Sequence, residues 1–138
     1  MKTTARALFF VLAVALTSCA SIHQFANPAA DWRARSGQLL YHGQKSSIMG
    51  EVLVRFSNKG DFELTFTKGP GVTLLLIRQD PTFVRVSGPL ARGSWSGPPA
   101  QAPARLRGWI ALREVLTNSG DQATVRHSSG GETFTFRF

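Results

Sequence analysis

Within residues 48–67 and again in 82–87, apolar and polar side chains alternate with a period of two. Val52, Val54 and Phe56 alternate with Leu53 and Arg55; Phe62, Leu64 and Phe66 alternate with Glu63, Thr65 and Thr67. Val84 and Val86 alternate with Phe83 and Arg85. That period places every second side chain on one face of a β-strand. The runs stop at Ser57-Asn58-Lys59-Gly60-Asp61, Lys68-Gly69-Pro70-Gly71 and Gln79-Asp80-Pro81, all turn-forming clusters. Strands are predicted at 38–41, 48–56, 62–67, 72–78 and 82–87, and a closing hairpin at 122–127 and 132–138. Strands about 8–12 residues apart with tight turns make an antiparallel meander.

Residues 88–103 hold four prolines and three glycines and read as a long loop. In 104–116 the period changes: Leu106, Trp109, Ile110 and Leu116 recur at helical spacing, which predicts an amphipathic helix of about three turns. Arg105 and Arg113 intrude on its apolar arc, and Asn118-Ser119-Gly120 ends it. The sum is an α+β fold. One curved antiparallel sheet of about seven strands, an incomplete β-barrel, carries one amphipathic helix on its concave side. Segment 72–78 is apolar on both faces (Leu74 and Leu76 against Leu75 and Ile77), so both faces need cover. One helix covers one of them. The other is left to a second layer, a lipid-like ligand, a partner, or the sheet curling over itself.

The start of the chain has a different logic. Lys2 and Arg6 precede an apolar run at 7–16, the pattern of a signal peptide. A spanning helix needs about 20 apolar residues, so the run is too short to remain as one. Leu16-Thr17-Ser18-Cys19 closes it and contains the only cysteine. These four residues resemble the lipobox of bacterial lipoproteins. The resemblance implies cleavage before Cys19, then covalent attachment of a diacylglycerol and an acyl chain to Cys19, with no other cofactor. One chain anchors marginally and two or three anchor firmly. An Asp after the cysteine is that family's inner-membrane retention signal in enteric bacteria. Ala20 and Ser21 stand there instead, which implies a lipid-anchored protein of the outer membrane facing the periplasm. Residues 1–18 are thus expected as signal peptide, 19–31 as lipidated cysteine and tether, and 32–138 as the domain.

Charge and chemistry narrow the function. Without Lys2 and Arg6, 14 basic residues face 8 acidic ones, a net charge of +6. The basic residues are scattered, without the clustering or module that nucleic-acid binding asks for. A solvated basic surface, or attraction to anionic lipid headgroups, fits better. With one cysteine there is neither a disulfide nor a cysteine zinc site. The carboxylates and the three histidines (His23, His42, His127) lack acid–base or metal-ligand spacing. Gly93-Ser94-Trp95-Ser96-Gly97 has Trp where a nucleophile elbow needs Ser. The chain reads as a non-enzyme with no metal, and as a monomer.

Trp32, Gly60-Asp61-Phe62-Glu63-Leu64, Pro70-Gly71 and Leu106-Arg107-Gly108-Trp109-Ile110 resemble the LolA/LolB family of lipoprotein carriers and receptors. The lipobox resembles the LolB branch. The resemblance implies an incomplete barrel with a helical lid over an apolar cavity for acyl chains or lipoprotein cargo. Leu64, Phe66, Leu74, Leu76, Trp109 and Ile110 would line it. The chain is shorter than that receptor, and its Gly69-Pro70-Gly71-Val72 turn lacks the receptor's exposed Leu. Two rivals stand beside this reading. One is an accessory envelope lipoprotein whose sheet meets a protein partner. The other is an outer-membrane barrel, suggested by Phe134, Phe136 and Phe138; its strands fall short of the 9–11 residues needed to span.

Overall fold

Strand alternation becomes a set of continuous rows across one sheet. The computed structural model describes residues 22–138. Its strands are β1 (Arg33–His42), β2 (Ser47–Phe56), β3 (Phe62–Thr67), β4 (Thr73–Gln79), β5 (Val84–Gly88), β6 (Gly93–Gly97), β7 (Thr124–Ser129) and β8 (Glu132–Arg137). All eight form one open antiparallel sheet in the order β6-β5-β4-β3-β2-β1-β8-β7. Among the described residues, one α-helix, α1 (Ala104–Asn118), completes an α+β fold. The lipobox and signal residues lie outside the described part.

The register shows which face is the core. Val54, Leu64, Ile77, Val86 and Trp95 stand opposite one another across five strands. Parallel rows run through Val52, Phe66 and Leu75, and through Leu39, Phe136 and Val125. Apart from half-buried Trp95, these side chains are buried. The opposite face carries Leu53, Arg55, Glu63, Thr65, Leu76, Arg78 and Arg85, paired across the same strands. All the buried apolar side chains among the described residues lie between Leu39 and Phe136 and pack on one another. The described residues therefore carry a continuous core of their own, and a chain of this length buries roughly two thirds of its surface.

The sheet has one strand more than expected. Gly93–Gly97, placed in a loop by its glycines and prolines, is β6 on the sheet edge. Its alternation is short but real, since Trp95 faces Val86 while Ser94 and Ser96 pair with Ser87 and Arg85. The prolines around it form two 3-10 turns, Pro89–Ala91 and Pro99–Gln101. β1 also begins earlier than expected, at Arg33.

Helix α1 covers the core face. It buries Leu106, Trp109, Ile110, Leu112 and Leu116, and the Trp109 ring meets Phe134 edge-on at 4.8 Å and Phe66 at 6.1 Å. Gly108 sets the approach: a Cβ there would stand 3.2 Å from the Phe134 ring and from Glu132 Oε1. Arg113 donates to the Gly60 carbonyl at 2.8 Å, tying the helix to the β2–β3 turn. The end at Ser119 is held by its Oγ donating to the Leu116 carbonyl, and Gly120 follows at φ 59°.

Within the segment expected as a tether, His23, Phe25 and Ala26 lie against the outer face of β4 and β5. His23 stacks on Phe83 at 4.4 Å, and its Nε2 lies 2.6 Å from Asp80 Oδ2. Arg78 and Arg85 reach over the Phe25 ring, and Arg78 donates to the Ala26 carbonyl. Burial alone would raise the Asp80 pKa. The Thr82 amide, His23, the Thr82 hydroxyl and the Phe83 amide outweigh it and hold the carboxyl below its usual range. A carboxyl held lower in the folded chain stabilises it above the unfolded value, and the contribution fades as pH falls through the lowered one. The strap is therefore expected to loosen below pH about 4. At pH 7, Asp80→Asn keeps the turn acceptor but loses the charge facing His23. Hydrogen exchange of residues 23–28 should rise by about threefold or more, with core amides unchanged.

Candidate functional site

A pocket of about 510 Å³ opens where α1 begins. Four segments far apart in sequence build it. The β1–β2 turn supplies Gly43 to Ser46, with Tyr41 at the end of β1; the β5–β6 connection supplies Pro89, Leu90 and Arg92. The first turns of α1 supply Ala104, Arg105 and Trp109, and the β7–β8 hairpin supplies Gly130 and Glu132.

Its apolar floor is an aromatic cluster. The Tyr41 ring lies 4.9 Å from Trp109 and 5.4 Å from Phe134. Local chemistry fixes the walls. The Gly43 amide donates to the Ser46 carbonyl at 2.8 Å and closes the β1–β2 turn. Arg92 ends the Pro89–Ala91 turn in the left-handed conformation, φ 53°, with its amide on the Pro89 carbonyl. It is the one non-glycine with positive φ among the described residues. Arg105 reaches the Ala91 carbonyl at 3.5 Å, linking the helix to the same turn.

The polar groups are unevenly matched. Lys45, Arg92 and Arg105 line the pocket, and the only carboxylate there is Glu132. The Tyr41 hydroxyl donates to Glu132 Oε2 at 2.5 Å. Among the described residues, none of the three cations has an ion pair. Burial pushes the Tyr41 phenol well above its usual pKa, with the Glu132 hydrogen bond and charge adding to it and Arg92 opposing. Tyr41 is the only tyrosine, so phenolate absorbance at 295 nm reports it alone. The folded protein should show no phenolate step near pH 10, and Glu132→Gln should bring the step down toward 10. A phenol with a raised folded pKa stabilises the chain below pH about 10, and that share is lost as pH rises further.

No protein-family model matches this chain, and no curated protein matches it. The site rests on its own geometry.

Of the six residues expected to share an apolar cavity, Leu64, Phe66, Trp109 and Ile110 face one another in the core between sheet and helix. Only Trp109 reaches the pocket. Leu74 is the extra residue of a β-bulge between the Phe66–Leu75 and Thr67–Thr73 pairs, and packs half-buried at the core edge. Leu76 pairs with Thr65 and stands on the outer face, away from Leu64 and Phe66. The phase of that strand is opposite to the expected one: Leu75 and Ile77 point inward. Tyr41, Lys45, Leu90, Arg92 and Glu132 were not among the candidates. Besides Trp109, the residue of this place that stands out in the sequence is Arg105, a cation on the apolar arc of the helix.

The outer face has an apolar patch of its own. Leu40 and Met49 are a cross-strand pair, and Met49 is 57% exposed. Leu53 lies further along β2 on the same face, also exposed.

Proposed function

We propose that the protein is a lipid-anchored lipoprotein of the outer membrane. Its LolB-like half-barrel receives an acyl chain, free or carried by lipoprotein cargo, without catalysing a reaction. The lipobox at Leu16–Cys19 supplies the anchor in this reading. The observation that carries the binding part is the composition of the pocket wall. Pro89, Leu90 and Arg92 leave β5 near one edge of the sheet, and Gly130 and Glu132 belong to the β7–β8 hairpin at the other. Residues from opposite ends of an eight-strand order line one space only if the sheet curls toward closure. That supports an incomplete barrel with α1 on its concave side. Trp109, Leu90 and Tyr41 give this space an apolar wall, as a chain-binding site requires.

Two measurements test the reading. Cys19→Ala should move the protein from the membrane to the soluble periplasmic fraction; unchanged fractionation would remove the anchor. The soluble chain from residue 19 with Cys19→Ser should take up a fluorescent fatty-acid probe saturably. Absence of saturable uptake would remove the binding role.

A second reading is an accessory lipoprotein that docks a protein partner on its sheet. It is favoured by the exposed Leu40, Met49 and Leu53, and by a core in which Leu64, Phe66, Leu75 and Ile77 are fully buried. Met49→Glu should abolish partner crosslinking under this reading and leave probe uptake unchanged under the first.

A further inference from the structure

We infer that the pocket selects an amphiphile with a phosphate or other compact anionic head, held by Arg92, Arg105 and Lys45. Its alkyl part would lie against Trp109 and Leu90. The inference rests on the acyl-binding reading above and adds the headgroup class to it.

A pocket lined by three cations and one carboxylate holds excess positive charge. The carboxylate is already engaged, since Tyr41 donates to Glu132. Cations that pair with acids elsewhere in this protein do so visibly: Arg55 and Arg78 both meet Glu63 on the outer face. Arg92 and Lys45 have no hydrogen-bonded side-chain partner among the described residues, and Arg105 makes one long bond to a carbonyl. Guanidinium groups with free N–H donors match phosphate and carboxylate oxygens in a two-pronged geometry.

Backbone conformation supplies a second observation. Arg92 holds φ 53° at a turn end where glycine would be unstrained. Gly93 comes next, also at positive φ. A side chain kept at a strained turn position, lining a pocket and pairing with nothing in it, fits a ligand contact better than a structural one. The apolar component is adjacent. Trp109 and Leu90 line the same space as the cations, so head and tail of one amphiphile are served together.

The test uses calorimetric titration of the chain from residue 19 with Cys19→Ser, which keeps every core residue from Leu39 to Phe136. The probes are octyl phosphate below its micelle concentration, octyl glucoside as a neutral amphiphile with the same tail, and inorganic phosphate. Octyl phosphate should bind at least about tenfold more tightly than either control, and added salt should weaken it. Arg92→Gly removes the guanidinium and relieves the backbone, so it should fold normally and still lose about tenfold in octyl phosphate affinity. Arg105→Gln should act in the same direction. Glu132→Gln removes a repelling charge and should tighten binding, while Lys68→Gln on the distant β3–β4 turn should change nothing. Equal binding of octyl phosphate and octyl glucoside would overturn the headgroup inference and leave the acyl-binding reading standing. Equal binding of inorganic phosphate and octyl phosphate would overturn the amphiphile, leaving a free-anion site. No binding of any probe would overturn both readings.

Discussion

Trp109→Ala is expected to cost about 3–5 kcal/mol of folding free energy, the range for emptying a fully buried aromatic site. The side chain is 1% exposed and touches three aromatic rings on three strands of the sheet: Phe66 on β3, Tyr41 on β1 and Phe134 on β8. Removing it takes away the largest side chain joining helix to sheet. The gap cannot close easily, because α1 already lies so near Phe134 that even a Cβ at Gly108 would stand 3.2 Å from its ring. A chain of this size loses roughly 4 °C of thermal midpoint for each kcal/mol, so the transition should fall by about 12 °C or more. Trp109→Phe keeps a ring in place and should recover over half of that loss. Ligand uptake should separate from stability: well below its transition, the Ala variant has a folded sheet but no pocket floor. A shift of less than about 4 °C in a scanning calorimeter would mean that the helix is held by something other than this ring cluster.

Much of that cluster was legible in the sequence, and the reasons are specific. Phe62, Leu64 and Phe66 alternate with polar partners, so their face was never ambiguous. Trp109 and Ile110 sit at helical spacing from Leu106 and Leu116. β4 was harder, because the run Leu74–Ile77 has no polar member to set its phase. The phase was nevertheless present at the strand's end. Arg78 lies outward and meets Glu63, while Gln79 is buried on the core face with its Oε1 lacking a partner. Counting back from Arg78 by twos gives Leu76 an outward position. The bulge at Leu74 breaks the count one step later, and no periodicity argument anticipates a bulge.

The pocket was not legible for a different reason. It is assembled by closure of the chain over distance: Tyr41 and its partner Glu132 are separated by 91 positions. Neither residue stands out locally, and Lys45 and Arg92 sit in turns where a cation is ordinary. The strap at residues 22–30 was hidden in the same way. The sequence IHQFANPAA has no period, yet His23 and Phe25 find a carboxylate, an aromatic ring and two guanidinium groups already presented by β4, β5 and their turn. Aperiodic segments dock through individual side chains, which pattern analysis does not weigh.

Gly37 shows how one residue type can carry opposite meanings, and it sets the other large expectation. In the sequence, the first strand is predicted only from Gln38, just after Gly37. In the structure β1 runs straight through it, paired to Val52 of β2. A Cβ at this position would lie 2.9 Å from the Phe138 Cα and closer still to the Arg137 carbonyl oxygen. Those neighbours are all backbone, so no side chain can swing away to make room. Gly37→Ala therefore has to push the end of β8 off β1, next to the Gln38–Arg137 pair that closes their ladder. Phe138 would move too, and with it the stack on Phe136 and the Arg35 guanidinium that lies 3.8 Å above its ring. Overpacking in a core costs about 1–3 kcal/mol when side chains can adjust. With backbone on every side, the expected cost is about 3 kcal/mol or more. Hydrogen exchange should locate the damage: amides of residues 134–138 and of β7 should exchange faster by tenfold or more, while β3 and β4 keep their protection. Uniform protection across both halves of the sheet in that variant would show that the C-terminal strand has room to spare.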